Sequence, residues 1–175
     1  MTLVIREATV TDARLIADIS HKTFYDTFAA FNSIHNMDKF LNQQFTKGKL
    51  MMEVGARENI FLLAYEGDEV AGYVKLRDER VPSGMGKVSA LEIARLYAMK
   101  GKIGKGVGSL LMQSCIDIAK QKNKAWLWLG VWEKNQRAID FYTRWGFEKF
   151  DETDFLLGDD TQKDWLMKKI VVNGP

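Results

Sequence analysis

Three glycines at alternate positions, in Ile103-Gly104-Lys105-Gly106-Val107-Gly108, follow a strand-like run and open an amphipathic one. A strand, a glycine loop and a helix in that order commit the chain to an α/β architecture. They also turn backbone N–H groups into an anion cradle. Glycines let the main chain approach a diphosphate with no Cβ in the way, and the first helical turn adds unpaired donors and the positive end of its dipole. Lys100, Lys102 and Lys105 place formal charge on the same loop.

Such a loop serves several classes of protein, so spacing has to discriminate. A dinucleotide fingerprint beginning at Gly104 and Gly106 needs a glycine where Ser109 stands. It also needs an acid at the end of the next strand, which here carries Trp126, Trp128 and Trp132. A Walker loop needs Lys and then Ser or Thr after its last glycine, whereas Gly108 is followed by Ser109 and Leu110.

A second constellation breaks the tie. Val131-Trp132-Glu133-Lys134-Asn135 leaves a strand and enters a helix reading Ala138-Ile139-Asp140-Phe141-Tyr142, closed by Trp145-Gly146-Phe147. Jointly, residues 90 to 147 resemble the GNAT superfamily of N-acetyltransferases, which use acetyl-coenzyme A. The flanks Thr23-Phe24-Tyr25-Asp26-Thr27-Phe28, Ala71-Gly72-Tyr73-Val74-Lys75, Leu91-Glu92-Ile93-Ala94-Arg95-Leu96-Tyr97 and Phe155-Leu156-Leu157-Gly158-Asp159-Asp160 are similar to PaiA-type spermidine/spermine acetyltransferases.

The resemblance implies one N-acetyltransferase domain over 1–175, an α/β fold (α+β mixed sheet) whose two central strands splay apart. It implies that the pantetheine arm of the coenzyme lies in the gap against the backbone of Leu96, Tyr97 and Ala98. The pyrophosphate contacts map onto Ile103, Gly104, Lys105, Gly106, Val107, Gly108 and Ser109, with Asn135 and Tyr142 completing the coenzyme site. Ile103 departs from the family, which usually carries Gln or Arg there. The acceptor implied is a primary amine such as spermidine, and Asp26, Asp38 and Glu79 are acids that could attract it.

Acetyl transfer needs a neutral amine, a polarised thioester carbonyl and a proton for the leaving thiolate. Tyr142 matches the family tyrosine beside the coenzyme sulfur, and a phenol of pKa ~10 can protonate a thiolate. An alkyl ammonium of pKa ~10.4 is neutral about once in 2,500 molecules at pH 7, so a base or desolvation must supply roughly 4 to 5 kcal/mol. Many relatives carry Glu where this chain has Ala94. Simple alternation puts Glu92, Ala94 and Leu96 on one face, which makes Glu92 the candidate base, acting through a water. The lone Cys115 falls within a helix stripe, which favours direct transfer over an acyl-enzyme. The departures at Ile103 and Ala94 keep open a coenzyme-binding regulator with little turnover, and acetylation of a protein N-terminus or lysine is a third reading.

Bulk composition agrees with a globular enzyme. Hydrophobic residues make up 46% of the 175 and charged residues 27%. A net charge of +2 gives no footing for nucleic acid, and the paired Lys168-Lys169 is the longest basic run. No apolar run approaches the ~20 residues of a membrane span, and no signal-peptide layout is present. A cytoplasmic monomer or homodimer is expected. One cysteine and two distant histidines, His21 and His35, argue against a disulfide framework or a zinc site, so no metal is expected.

Periodicity predicts the remaining elements. Leu3 to Ala8 reads as a strand, and Thr9 with Asp12 caps a helix whose stripe is Leu15, Ile16, Ile19 and Thr23. Met37, Phe40, Leu41 and Phe45 suggest a second short helix. Ile60 to Tyr65 and Val70 to Leu76 form a hairpin, and Asp78 to Lys87 a loop. Ala90 to Met99 feeds the glycine loop. Val107, Leu110, Leu111, Ser114, Cys115 and Ile118 give the next helix its buried face. Ala125 to Trp132 is a strand covered on both faces, and Phe147 to Leu157 and Asp164 to Val172 are the last two.

Overall fold

One crossover decides the topology. Strand β4 (Ala90–Ala98) runs through the glycine loop into helix α4 (Val107–Gln121) and returns parallel to itself as β5 (Trp126–Trp132). Every other strand pair is antiparallel, so the sheet is mixed. Around this unit stand β1 (Leu3–Glu7), β2 (Asn59–Glu66), β3 (Glu69–Arg77), β6 (Glu148–Leu157) and β7 (Asp160–Ile170). Among the described residues the seven strands lie in the order β1-β2-β3-β4-β5-β7-β6. The helices are α1 (Ala13–Phe28), α2 (Ile34–Lys39), α3 (Lys47–Glu53), α4 and α5 (Gln136–Arg144). The structure, a computed structural model, describes residues 2–171, so Val172 of the expected last strand lies outside them.

Helices α4 and α5 cover one face of the sheet. Leu91 and Ile93 of β4 and Leu127, Leu129 and Val131 of β5 pack there against Val107, Leu111, Met112, Cys115, Ile116 and Ala119 of α4. Each fully buried large side chain contributes about 1.5–3 kcal/mol of transfer free energy. The stripe is rotated by one residue from the expected one: Leu110, Ser114 and Ile118 are only half-buried. Ser114 satisfies its hydroxyl on the Leu110 carbonyl at 3.0 Å. Helix α1 covers the opposite face, placing Ile16 and Ile19 on Phe61, Leu63 and Tyr73.

The segment after α1 holds two short helices rather than the single one expected. α2 passes into a π turn at Phe40–Gln44, and α3 follows with Leu50 its one buried residue. Strand β7 also starts four residues earlier than Asp164, because Leu157 and Asp160 pair across a tight turn that seats on α2. There the Asp159 N–H donates to Asn36 Oδ1 at 2.9 Å. The loop after β3 is anchored, with Trp128 Nε1 donating to the Arg80 carbonyl at 3.0 Å.

Two irregularities open the middle of the sheet. In the β3–β4 ladder Lys75 faces Arg95 and Leu76 faces Ile93, so Ala94 is an extra residue, a β-bulge. A bulge flips the alternation beyond it. Leu91, Ile93, Leu96 and Ala98 therefore share the α4 face, while Arg95 and Tyr97 join the α1 face. The expectation that Glu92, Ala94 and Leu96 lie on one face fails for this reason. β4 also pairs with β5 only from Ala90–Glu92 to Trp126–Trp128, after which the two strands diverge.

Candidate active site

The divergence creates a cleft of about 550 Å³, within the usual range for a small-molecule site. One wall is β4 with Leu96, Tyr97 and Ala98, and the other is β5 with Gly130, Val131 and Trp132. Beyond the short β4–β5 ladder, both strands turn main-chain donors and acceptors toward the gap with no strand opposite. An extended, amide-rich arm can pair with them.

At the α4 end the lining passes to Ile103, Gly104, Gly106, Gly108 and Ser109. Gly104 (φ 79°) and Gly106 (φ 85°) are left-handed, the conformation that glycine adopts without strain. A Cβ at either would meet nothing within 4 Å, so this side of the loop faces open space. Gly106 is the residue before α4 and no side chain caps the helix, which leaves its first N–H groups to be satisfied from the cleft. These features fit a diphosphate. Gly108 has a packing role as well, since a Cβ there would sit 3.4 Å from the Phe141 ring.

The side chains of the loop differ from expectation in two respects. Val107 is core and Lys105 is exposed, and neither lines the cleft. Lys102 is paired with Glu66 and with Glu69, the latter at 3.3 Å, so its charge is already neutralised. Arg137 and Arg144 of α5, which the motif does not include, line the cleft instead.

Tyr142 and Asn135 both reach the cleft. Asn135 caps α5 through Oδ1, which accepts from the Ala138 N–H at 3.3 Å. That cap fixes the helix whose second turn presents Tyr142. The ring is held edge-on by Phe141 and Phe147, with centroids 5.5 and 5.7 Å away. Burial, with a smaller contribution from Cys115, pushes the phenol above its ordinary range. The Tyr142 phenol is therefore protonated throughout the neutral range.

Glu92 is not brought to the cleft. Its carboxylate accepts from Arg77 Nε at 2.7 Å and from a second guanidinium nitrogen at 2.9 Å, and the residue is 6% exposed. Glu92 lies in the part of β4 that is still paired with β5, opposite Trp128, before the two strands diverge. Asp26, Asp38 and Glu79 do not line the cleft either.

The cleft instead receives Asp164, opposite Trp132 in the β5–β7 ladder. Gly130 of β5 is its neighbour: a Cβ there would make ordinary van der Waals contact, at 3.6 Å, with an Asp164 carboxylate oxygen. Burial, and then the Glu133 charge, push the Asp164 carboxyl up to about 6. One residue in an otherwise large-side-chain strand, Gly130, was the available signal. Phe24, Phe28, Phe40, Phe45 and Phe155 line this same end.

Among the described residues no cluster of three His, Cys, Asp or Glu is found, and no helix is long and apolar enough to cross a membrane.

Comparison with known proteins agrees with this geometry. The profile of the Acetyltransferase (GNAT) family matches residues 21–147. An uncharacterised N-acetyltransferase of Lactobacillus delbrueckii subsp. lactis is 38% identical over 154 residues, 88% of this chain and 89% of that protein. One of Mycobacterium tuberculosis is 26% identical over 165 residues, 93% and 100% of the two. Among solved structures, the PaiA N-acetyltransferase of Thermoplasma acidophilum with coenzyme A superposes with a TM-score of 0.76 at 22% identity, covering 97% of this chain and 99% of that one. The putative acetyltransferase yncA of Salmonella typhimurium, with its cofactor acetyl-CoA, gives 0.74 at 20%, covering 100% and 97%.

Proposed function

This chain belongs to the GNAT family of acetyltransferases, and from that premise we propose that it transfers acetyl directly from acetyl-coenzyme A to a primary amine. The observation that carries the reading is the splayed β4–β5 gap, with an uncapped glycine loop at one end and Tyr142 facing it. Bound there, the coenzyme supplies an acetyl group activated as a thioester. Main-chain donors of residues 103–109 hold the diphosphate, and Arg137 and Arg144 add positive charge to the same cleft. The free edge of β4 at Leu96 to Ala98 orients the pantetheine arm and offers an N–H to the carbonyl oxygen.

Neutral amine nitrogen attacks the acetyl carbon, forming C–N as C–S breaks; Tyr142 donates its proton to the departing sulfur and is restored by the proton that the nitrogen sheds. No protein nucleophile intervenes. Cys115 is fully buried, and burial pushes its thiol far up, so it supplies no thiolate. A purified sample assayed for thiol release with acetyl-coenzyme A and a panel of amines tests the reading. Release that depends on the amine supports it. Stoichiometric coenzyme binding without release from any amine identifies a regulator instead. The resemblance to PaiA-type proteins places spermidine and spermine on that panel, alongside peptides with a free N-terminus or lysine. A cytoplasmic location and a monomeric or homodimeric state belong to the same proposal.

A further inference from the structure

The acceptor half of the cleft has a chemistry of its own. Phe24 and Phe40 stack with centroids 4.4 Å apart, and Phe45 closes on both at 5.2 and 5.4 Å. Phe155 reaches Phe40 from β6 at 5.6 Å. Against this apolar wall stand two hydrogen-bond acceptors one pleat apart on β7, Gln162 and Asp164. Gln162 spends its amide N–H groups on Asn32, at 2.6 Å, and Asp160, at 3.0 Å. Its Oε1 is buried with no partner. A buried acceptor left orphaned costs free energy until a donor arrives.

Charge restricts what can arrive. Among the described residues lining the cleft, Asp164 is the one carboxylate, and with Arg137 and Arg144 of α5 given to the coenzyme half, Arg95 is the one cation beside the acceptor wall. Arg95 is itself held by Glu53 and lies over the Phe45 ring at 5.1 Å. A polycation would bring several ammonium groups to a site with one anion, and the others would be desolvated without partners. A single ammonium carried on a flat or branched apolar body meets one carboxylate, one orphan carbonyl and a wall of rings.

Building on the acetyltransferase reading, we propose that the physiological acceptor is a monoamine with an aromatic or branched apolar body, and that Asp164 binds its ammonium and removes its proton. The ammonium first gives one proton to Asp164, freeing the nitrogen lone pair. As C–N forms and C–S breaks, Tyr142 protonates the thiolate and is restored by the second proton that the nitrogen sheds, leaving amide, free thiol and the one proton on Asp164 to be released to water. The groups facing Asp164 are Glu133 beyond β5 and the Tyr97 phenol of β4, with Gln162 on its own strand and the Arg95 guanidinium on the far side of Tyr97, held by Glu53. Lys163 between them is paired with Asp154.

The test measures thiol release from acetyl-coenzyme A with phenethylamine, isoamylamine, spermidine and a short peptide with a free N-terminus, by wild type and Asp164→Asn. A kcat/KM about tenfold or more higher for the two monoamines than for spermidine and the peptide is expected. Because the base must be ionised, wild-type kcat/KM falls as pH drops through about 6. Asp164→Asn loses that limb and about 100-fold in kcat/KM. Its coenzyme affinity, measured by calorimetry, stays within about twofold and verifies the fold; an equally placed Asp164→Ser gives the same pattern. Preference for spermidine or the peptide, or an unchanged acid limb in the variant, overturns this inference while leaving acetyl transfer intact. Coenzyme binding with no turnover of any amine overturns both.

Discussion

In the proposed reading, the two halves of the cleft hold their ligands by different means. The coenzyme half works with main chain: left-handed glycines, an uncapped helix start and the unpaired edge of a strand. The acceptor half works with side chains gathered from α1, the π turn, β6 and β7. Main-chain recognition leaves a local signature, since one short segment must adopt one backbone shape. Side-chain recognition is assembled by the fold and can change without disturbing the first half. A family can therefore keep its coenzyme and vary its acceptor.

Substitutions sharpen that contrast. Gly106→Asp combines left-handed strain with a negative charge facing the diphosphate, and coenzyme affinity in titration calorimetry is expected to drop about 100-fold or more. Unchanged affinity would break the main-chain account. Tyr142→Phe is expected to lower kcat about 50-fold with coenzyme affinity within about twofold. Equal loss of both would make Tyr142 a packing residue. Phe24→Ala removes one ring from the acceptor wall and raises the acceptor KM about tenfold, leaving coenzyme affinity alone. A change in coenzyme affinity instead would merge the two halves.

Glu92→Gln belongs to neither half. Removing one partner of its pair with the quarter-exposed Arg77 is expected to cost about 2 to 3 kcal/mol in urea unfolding, with kcat unchanged. A large fall in kcat at unchanged stability would return Glu92 to the chemistry. Smallest is Cys115: iodoacetamide is expected to leave the native protein unmodified at pH 8, because the thiol is buried and protonated. Rapid alkylation would mean that α4 opens.

The fold class, the loop, the α5 cap at Asn135 and its stop at Gly146 were legible because each rests on a local backbone requirement. The bulge at Ala94 was not. Glu92-Ile93-Ala94-Arg95-Leu96 reads as ordinary alternation, and the extra residue shows only against its partner strand. That one-residue slip takes Glu92 off the Leu96 face, and its place in the paired part of β4, opposite Trp128 and beside Arg77, keeps it out of the cleft. Helix α3 escaped notice because Leu50 alone of its seven residues is buried, too little for a stripe. Asp164 reads as a surface acid until β7 pairs with β5 and sets it beside Gly130. The aromatic residues were visible singly, but the π turn that brings Phe40 to Phe45 has no sequence period of its own.

A crystal structure of the protein with acetyl-coenzyme A tests the central claim most directly. The account predicts the paired phosphates on the amides of residues 103–109, the pantetheine arm between β4 and β5, and the thioester sulfur beside the Tyr142 hydroxyl. Phosphates bound elsewhere, with those amides turned toward protein, would contradict it.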